Sequence, residues 1–159
     1  QLNIIGGYNA FHAASEAGCR RMVFASTIDV VGGFADEADV PWDKPVCPTT
    51  IYGATKCWGE ALGRVYAHEH GLSCICVRLC NPMFAQDGDW DPDDLRSGLT
   101  HRDAAQLIGR CVDVEEVDFA IVNGNVDTLK LQPIGRLGGL DYVQVNNHFS
   151  MERPTWPSK

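Results

Sequence analysis

The chain has 159 residues, of which 45% are hydrophobic and 21% charged, a length and balance typical of one globular domain. A formal net charge of -8 argues against a nucleic-acid partner, which needs a basic face, and against an anionic membrane surface. No apolar run approaches the ~20 residues that cross a bilayer, and no secretory or transit segment is visible, so no membrane partner is expected.

In chain order, the first predicted element is a helix over Asn3 to Ala17. Ile4, Ile5, Tyr8, Phe11 and Ala14 recur there at helical spacing, and Gly18 supplies the stop. Arg21 to Ser26 reads as a short apolar strand, and Gly32 to Pro48 as a loop rich in Gly, Pro and Asp. A second helix starts at Thr49 or Thr50, both good N-caps, and runs to His70 before Gly71. Ser73 to Leu79 is fit for a buried parallel strand, broken by Asn81-Pro82. The acidic stretch Asp87 to Asp94 comes next. A third helix begins at Thr100, with Thr100 and Asp103 resembling a capping box. Phe119 to Val122 is the last clear strand, ended by Asn123-Gly124, and residues 131–159 form a poorly defined tail.

Alternating helices and strands imply a parallel sheet with right-handed crossovers and helices on both faces. The expected fold is therefore α/β, part of a doubly wound, Rossmann-like sheet. The seven cysteines include no CxxC pair, and Cys74 and Cys76 share one face of a strand. They read as reduced, buried thiols, which fits a reducing cytoplasm. No metal is expected. The acidic stretch fails the calcium-loop pattern because Pro92 stands at its invariant glycine and Gly98 at its glutamate. His68 and His70 fit the negative end of their helix better than a metal, and His12 reads as a surface or interface residue.

The sharpest local feature is Tyr52-Gly53-Ala54-Thr55-Lys56. Residues four apart share a helix face, so the ammonium stands beside the phenol. An adjacent cation favours phenolate, and such a pair suits proton transfer to an alcohol or ketone. Thr27 ends the strand 25 residues before Tyr52. Side chains at that end of a parallel strand face the ligand crevice, where a hydroxyl can hydrogen-bond the same reacting oxygen.

These motifs together resemble the extended short-chain dehydrogenase/reductases, the NAD-dependent epimerase/dehydratase branch. Asn3-Ile4-Ile5-Gly6-Gly7-Tyr8-Asn9 is similar to that family's NxxGxxN helix start, and Val23 to Thr27 to its VFxSS strand. Tyr52 to Lys56 is similar to YGxSK, and Val77 to Pro82 to LRxxNP. The match covers roughly residues 1–125. The resemblance implies a nicotinamide cofactor, NAD or NADP, with Tyr52 as general acid/base and Lys56 holding the nicotinamide ribose. It implies that Thr27 orients the reacting oxygen, that Asn3 organises the site, that Cys80 contacts the nicotinamide region through its backbone, and that Asn81 faces the substrate.

A weaker similarity, over Leu99 to Leu107 with Asn123-Gly124, is to uronate dehydrogenases. It implies a sugar or sugar-acid substrate, although Ile28 offers no polar group where those enzymes use side chains. The expected activity is hydride transfer at a hydroxyl or carbonyl. The alternatives are a nucleotide-sugar epimerase/dehydratase and an inactive truncated fragment. The last arises because the family's glycine-rich phosphate loop is absent, so residues 1–130 would be the C-terminal portion of the cofactor domain. The glycine-bearing helices over 3–17 and 50–70 are expected to form a homodimer interface.

Overall fold

A computed structural model of the protein describes residues 1–35, 44–83, 98–124, 131–137 and 140–145. A π-helical turn, Leu2–Gly6, leads into α1 (Gly7–Glu16), then β1 (Arg21–Thr27) and a 3-10 segment, Ile28–Phe34. After these come α2 (Ile51–His70), β2 (Ser73–Leu79), β3 (Asn81–Met83), β4 (Gly98–Thr100), α3 (His101–Asp113), β5 (Phe119–Gly124), β6 (Leu131–Leu137) and β7 (Leu140–Val145).

The expected parallel sheet is present, with strand order β1-β2-β5. Its register places Ser26 beside Arg78 and Arg78 beside Asn123, one row near the C-terminal end of the strands. β3 pairs in parallel with β4, and β6 pairs antiparallel with β7, so two strands stand where the sequence pattern showed only a tail. The acidic stretch 87–94 lies outside the described residues.

The local chemistry explains the boundaries. Thr50 caps α2 by accepting a hydrogen bond from Gly53 N at 2.9 Å, and Gly71 closes the helix with φ of 66°, in the left-handed region that glycine adopts without strain. The first helix is not uniform: Leu2–Gly6 forms a wider turn before regular α-helix starts at Gly7. Ile28–Phe34 coils into two 3-10 turns that meet at a kink at Val31, because Thr27 Oγ1 accepts from Asp29 N and Val30 and Val31 are buried. The expected Thr100–Asp103 cap concerns side chains outside those described, although α3 does begin at His101.

β2 is buried from Cys74 to Arg78, and its side chains point alternately to two cores. Cys74 and Cys76 face a core built with Phe11, Tyr66, Leu72 and Phe119, which α1 and α2 cover. Ile75 and Val77 face the opposite core with Cys111, Val114, Val117 and Ala120, on the side of α3. Arg21 ties the bottom of the sheet to that helix, donating to Ser73 Oγ at 2.8 Å and to Cys111 O at 3.1 Å. Gly59 lies against the Phe24 ring, and a Cβ at position 63 would stand 3.4 Å from Cys76 Sγ and the Phe11 ring. Gly59 therefore lets α2 pack on its own sheet, and since both positions face this chain's own core they supply no argument for contact with a second chain.

Candidate active site

Strand β1 delivers Thr27 to the C-terminal edge of the sheet, and α2 delivers Tyr52 in its first turn and Lys56 one turn on. Two contacts bring these elements together around Thr27. Lys56 Nζ donates to Ala25 O at 2.8 Å, two residues before Thr27. Gly53 lies against Asp29, two residues after it, and a Cβ at position 53 would come within 2.8 Å of Asp29 O. The glycine between Tyr52 and Lys56 thus has a steric reason: it lets the helix approach the backbone that follows β1.

The Lys56 ammonium lies 5.6 Å from the centre of the Tyr52 ring and 5.0 Å from that of Phe24. Burial pulls its pKa down from the ordinary lysine value. Tyr52 itself is half exposed, so its hydroxyl can reach a ligand outside the sheet edge. Thr27 is buried; its Oγ1 accepts from Asp29 N at 3.3 Å, and the hydroxyl proton keeps its capacity to donate.

Asn3 reaches the same turn indirectly. Its Nδ2 donates to Thr55 Oγ1 at 3.1 Å, and that hydroxyl donates to Tyr52 O at 2.7 Å. Cys80 is buried just past β2, and its amide donates to Gly124 O at 2.9 Å. Any backbone contact from Cys80 to a ligand must therefore come through its carbonyl. Asn81 begins β3, and its side chain lies outside those described. Among the described residues, no cluster of His, Cys, Asp or Glu could hold a metal ion. His68 Nε2 lies 3.4 Å from Glu69, His70 stacks on Tyr66, and His12 stacks on Tyr8.

The sequence reading missed a buried ionic group beneath this edge. Glu60 Oε1 accepts from Ser26 Oγ at 2.6 Å and from Arg78 Nε at 2.8 Å, while Oε2 accepts from Arg78 Nη2 at 2.8 Å. Glu60 is 4% exposed and Arg78 1%. Arg78 Nη1 and Asn123 Oδ1 have no hydrogen-bond partner among the described residues. The signal for this group was an arginine inside an otherwise apolar strand, since a buried guanidinium demands a carboxylate.

The model of the NAD dependent epimerase/dehydratase family matches residues 1–106. The chain belongs to that family. It is similar to uronate dehydrogenase of Agrobacterium fabrum, 39% identical over 113 residues that make up 68% of this chain and 40% of that protein. Among solved structures, uronate dehydrogenase from Agrobacterium tumefaciens aligns with a TM-score of 0.69 at 30% identity, over 78% of this chain and 46% of that one. A single-residue variant of the latter was solved in complex with NAD. A UDP-galactose 4-epimerase aligns with a TM-score of 0.64 at 28% identity, over 79% of this chain and 48% of the other. The chain thus spans about half the length of the proteins it matches.

In this family member, the described residues fit one end of a nicotinamide cofactor. A half-buried ammonium with one hydrogen bond to Ala25 O retains two N–H donors for ribose hydroxyls, and a phenol stands beside it.

Proposed function

We propose that the protein carrying this chain oxidises a hydroxyl of a sugar or sugar acid, with NAD or NADP as hydride acceptor. Residues 1–130 form the C-terminal portion of its cofactor domain. The observation that supports this reading is the convergence of Tyr52, Lys56 and Thr27 on the end of β1. When bound, the nicotinamide supplies the hydride acceptor. The chain handles the proton: Tyr52 Oη takes it from the substrate hydroxyl as the carbonyl forms, and returns it in the reverse direction. Lys56 stands beside the phenol and holds the ribose, Thr27 donates a hydrogen bond to the reacting oxygen, and Asn3 steadies the turn through Thr55. Asn81 and the Cys80 carbonyl complete the substrate and nicotinamide sides.

Tyr52→Phe tests this directly, assayed as NADH formation from a uronic acid. It should lower kcat by roughly 10²-fold or more. A rate near wild type would remove Tyr52 from the mechanism. The likeness to a UDP-galactose 4-epimerase supports a second reading, in which oxidation is transient. Epimer formation without net NADH would favour it, and the absence of both products would favour an inactive fragment.

We further propose a cytoplasmic homodimer. Its supporting feature is the exposed apolar surface of Leu2, Ile5 and Tyr8 before and along α1, with Ile51 and Val65 on α2. Because Gly63 packs internally, Ile51→Asp with Val65→Asp is the informative variant. A dimer that survived it in light scattering would place the interface elsewhere.

A further inference from the structure

The buried group of Ser26, Glu60 and Arg78 has no evident need to exist for the core alone. The other side of the same strands is filled by Ile75 and Val77 against Val114 and Ala120, and the fully buried charges among the described residues, Glu60 and Arg78, both lie on the α2 side. A buried ion pair is often replaceable by apolar side chains without loss of stability, so its presence on one side asks for a further reason. Its position supplies one. Ser26 is covalently joined to Thr27, and Glu60 lies one helical turn beyond Lys56. The carboxylate therefore bridges the strand that carries one reactive side chain and the helix that carries the other two.

We propose that Ser26, Glu60 and Arg78 are positioning residues that set the separation of Thr27 from Tyr52 and Lys56. The inference rests on the proton-transfer role of Tyr52. Apolar packing is non-directional and lets a helix settle at several offsets along a strand. Hydrogen bonds to both carboxylate oxygens at 2.6–2.8 Å fix one offset, and the forked guanidinium adds an angular constraint. Arg78 gains further rigidity from its row in the sheet, between Ser26 and Asn123. With Nη1 unpartnered among the described residues, Glu60 is the acid on which that guanidinium depends. Two hydroxyls must meet one substrate oxygen, and displacement by about 1 Å is enough to cost a large factor in rate.

The test uses the protein carrying this chain, with NAD and a uronic acid, and three variants. Ser26→Ala removes one hydrogen bond and leaves the Glu60–Arg78 pair intact. Glu60→Leu combined with Arg78→Met removes the pair without stranding a charge. Tyr52→Phe reports on the underlying reading. The expected result for Ser26→Ala is a kcat lower by about tenfold, with KM for the sugar acid within about twofold and a melting temperature lowered by only about a few degrees. The double variant should fold and lose at least as much kcat. Wild-type kcat in Ser26→Ala or in the folded double variant would overturn the proposal, as would a loss carried by KM. If Tyr52→Phe were inactive while the other two kept full kcat, the positioning role alone would fail. If Tyr52→Phe kept its rate, the proton-transfer reading would fail with it.

Discussion

The two sides of the central sheet are built on different principles, although the same strands make both. On the side of α3, β2 contributes Ile75 and Val77 to an apolar core, which Arg21 borders at the lower end of the sheet. On the side of α2, the same strand contributes Cys74, Cys76 and then Arg78, so hydrocarbon-like packing gives way to an ionic network toward the strand's C-terminal end. Gly59 brings α2 close on this side. The difference teaches that the apolar side supports the sheet, while the α2 side also fixes the placement of Thr27, Tyr52 and Lys56.

Arg78→Ala should break this contrast most severely. It leaves the Glu60 carboxylate buried and unpaired, and a loss of ~3–5 kcal/mol in urea unfolding is expected. A loss below about 1 kcal/mol would mean that water reaches Glu60 and that the two sides are less different than they look. Gly59→Ala comes next. A methyl there runs into the Phe24 ring, which is held by Phe11 and lies under Lys56. Overpacking of ~1–3 kcal/mol, offset by up to ~1 kcal/mol of helix propensity, should leave a net destabilisation. The rate should fall as well, because Lys56 rides on the displaced ring. Ile75→Val, on the α3 side, should cost only ~0.5–1.5 kcal/mol and leave kcat unchanged. A kcat effect there comparable to that of Gly59→Ala would erase the distinction.

The smallest effect at neutral pH belongs to the thiols, which lie on both sides. Burial pushes Cys74 and Cys80 up to about 12 and Cys111 up to about 11. The folded chain then holds protons that the unfolded chain releases above the ordinary thiol value of 9.0. Stability from this source is fully present below pH 9 and is lost as the pH rises toward 11 and 12. Urea titrations at pH 8, 9.5 and 11 should show that decline, and a flat profile would mean that these thiols titrate alike in both states.

Much of this was legible before any coordinates. The caps at Thr50 and Gly71, the apolar run Ser73–Leu79 and the Tyr52–Lys56 spacing follow from local rules that a sequence displays directly. The pairing of Glu60 with Arg78 does not, because it joins a helix to a strand 18 residues later and depends on the parallel register. The 3-10 segment after Thr27 was also hidden, since its glycines read as loop while its buried valines decide its course. The hairpin of β6 and β7 was missed because Pro133 and Gly135 interrupt the strand pattern. The glycines of α2 were visible, but their sequence positions do not say whether a sheet or another helix fills the space they leave.

The stripe Tyr52, Lys56, Glu60 advances four residues at each step, whereas a helical turn takes 3.6. Each step therefore rotates about 40° around the axis. The stripe winds from a half-exposed phenol, through a partly buried ammonium, to a carboxylate that is 4% exposed. One inserted or deleted residue between Tyr52 and Glu60 would swing the later members by about 100° and separate the phenol from everything that places it. Length changes here should thus be far less tolerated than point substitutions on the exposed face of the same helix, so the spacing of this interval is itself part of what selection must preserve.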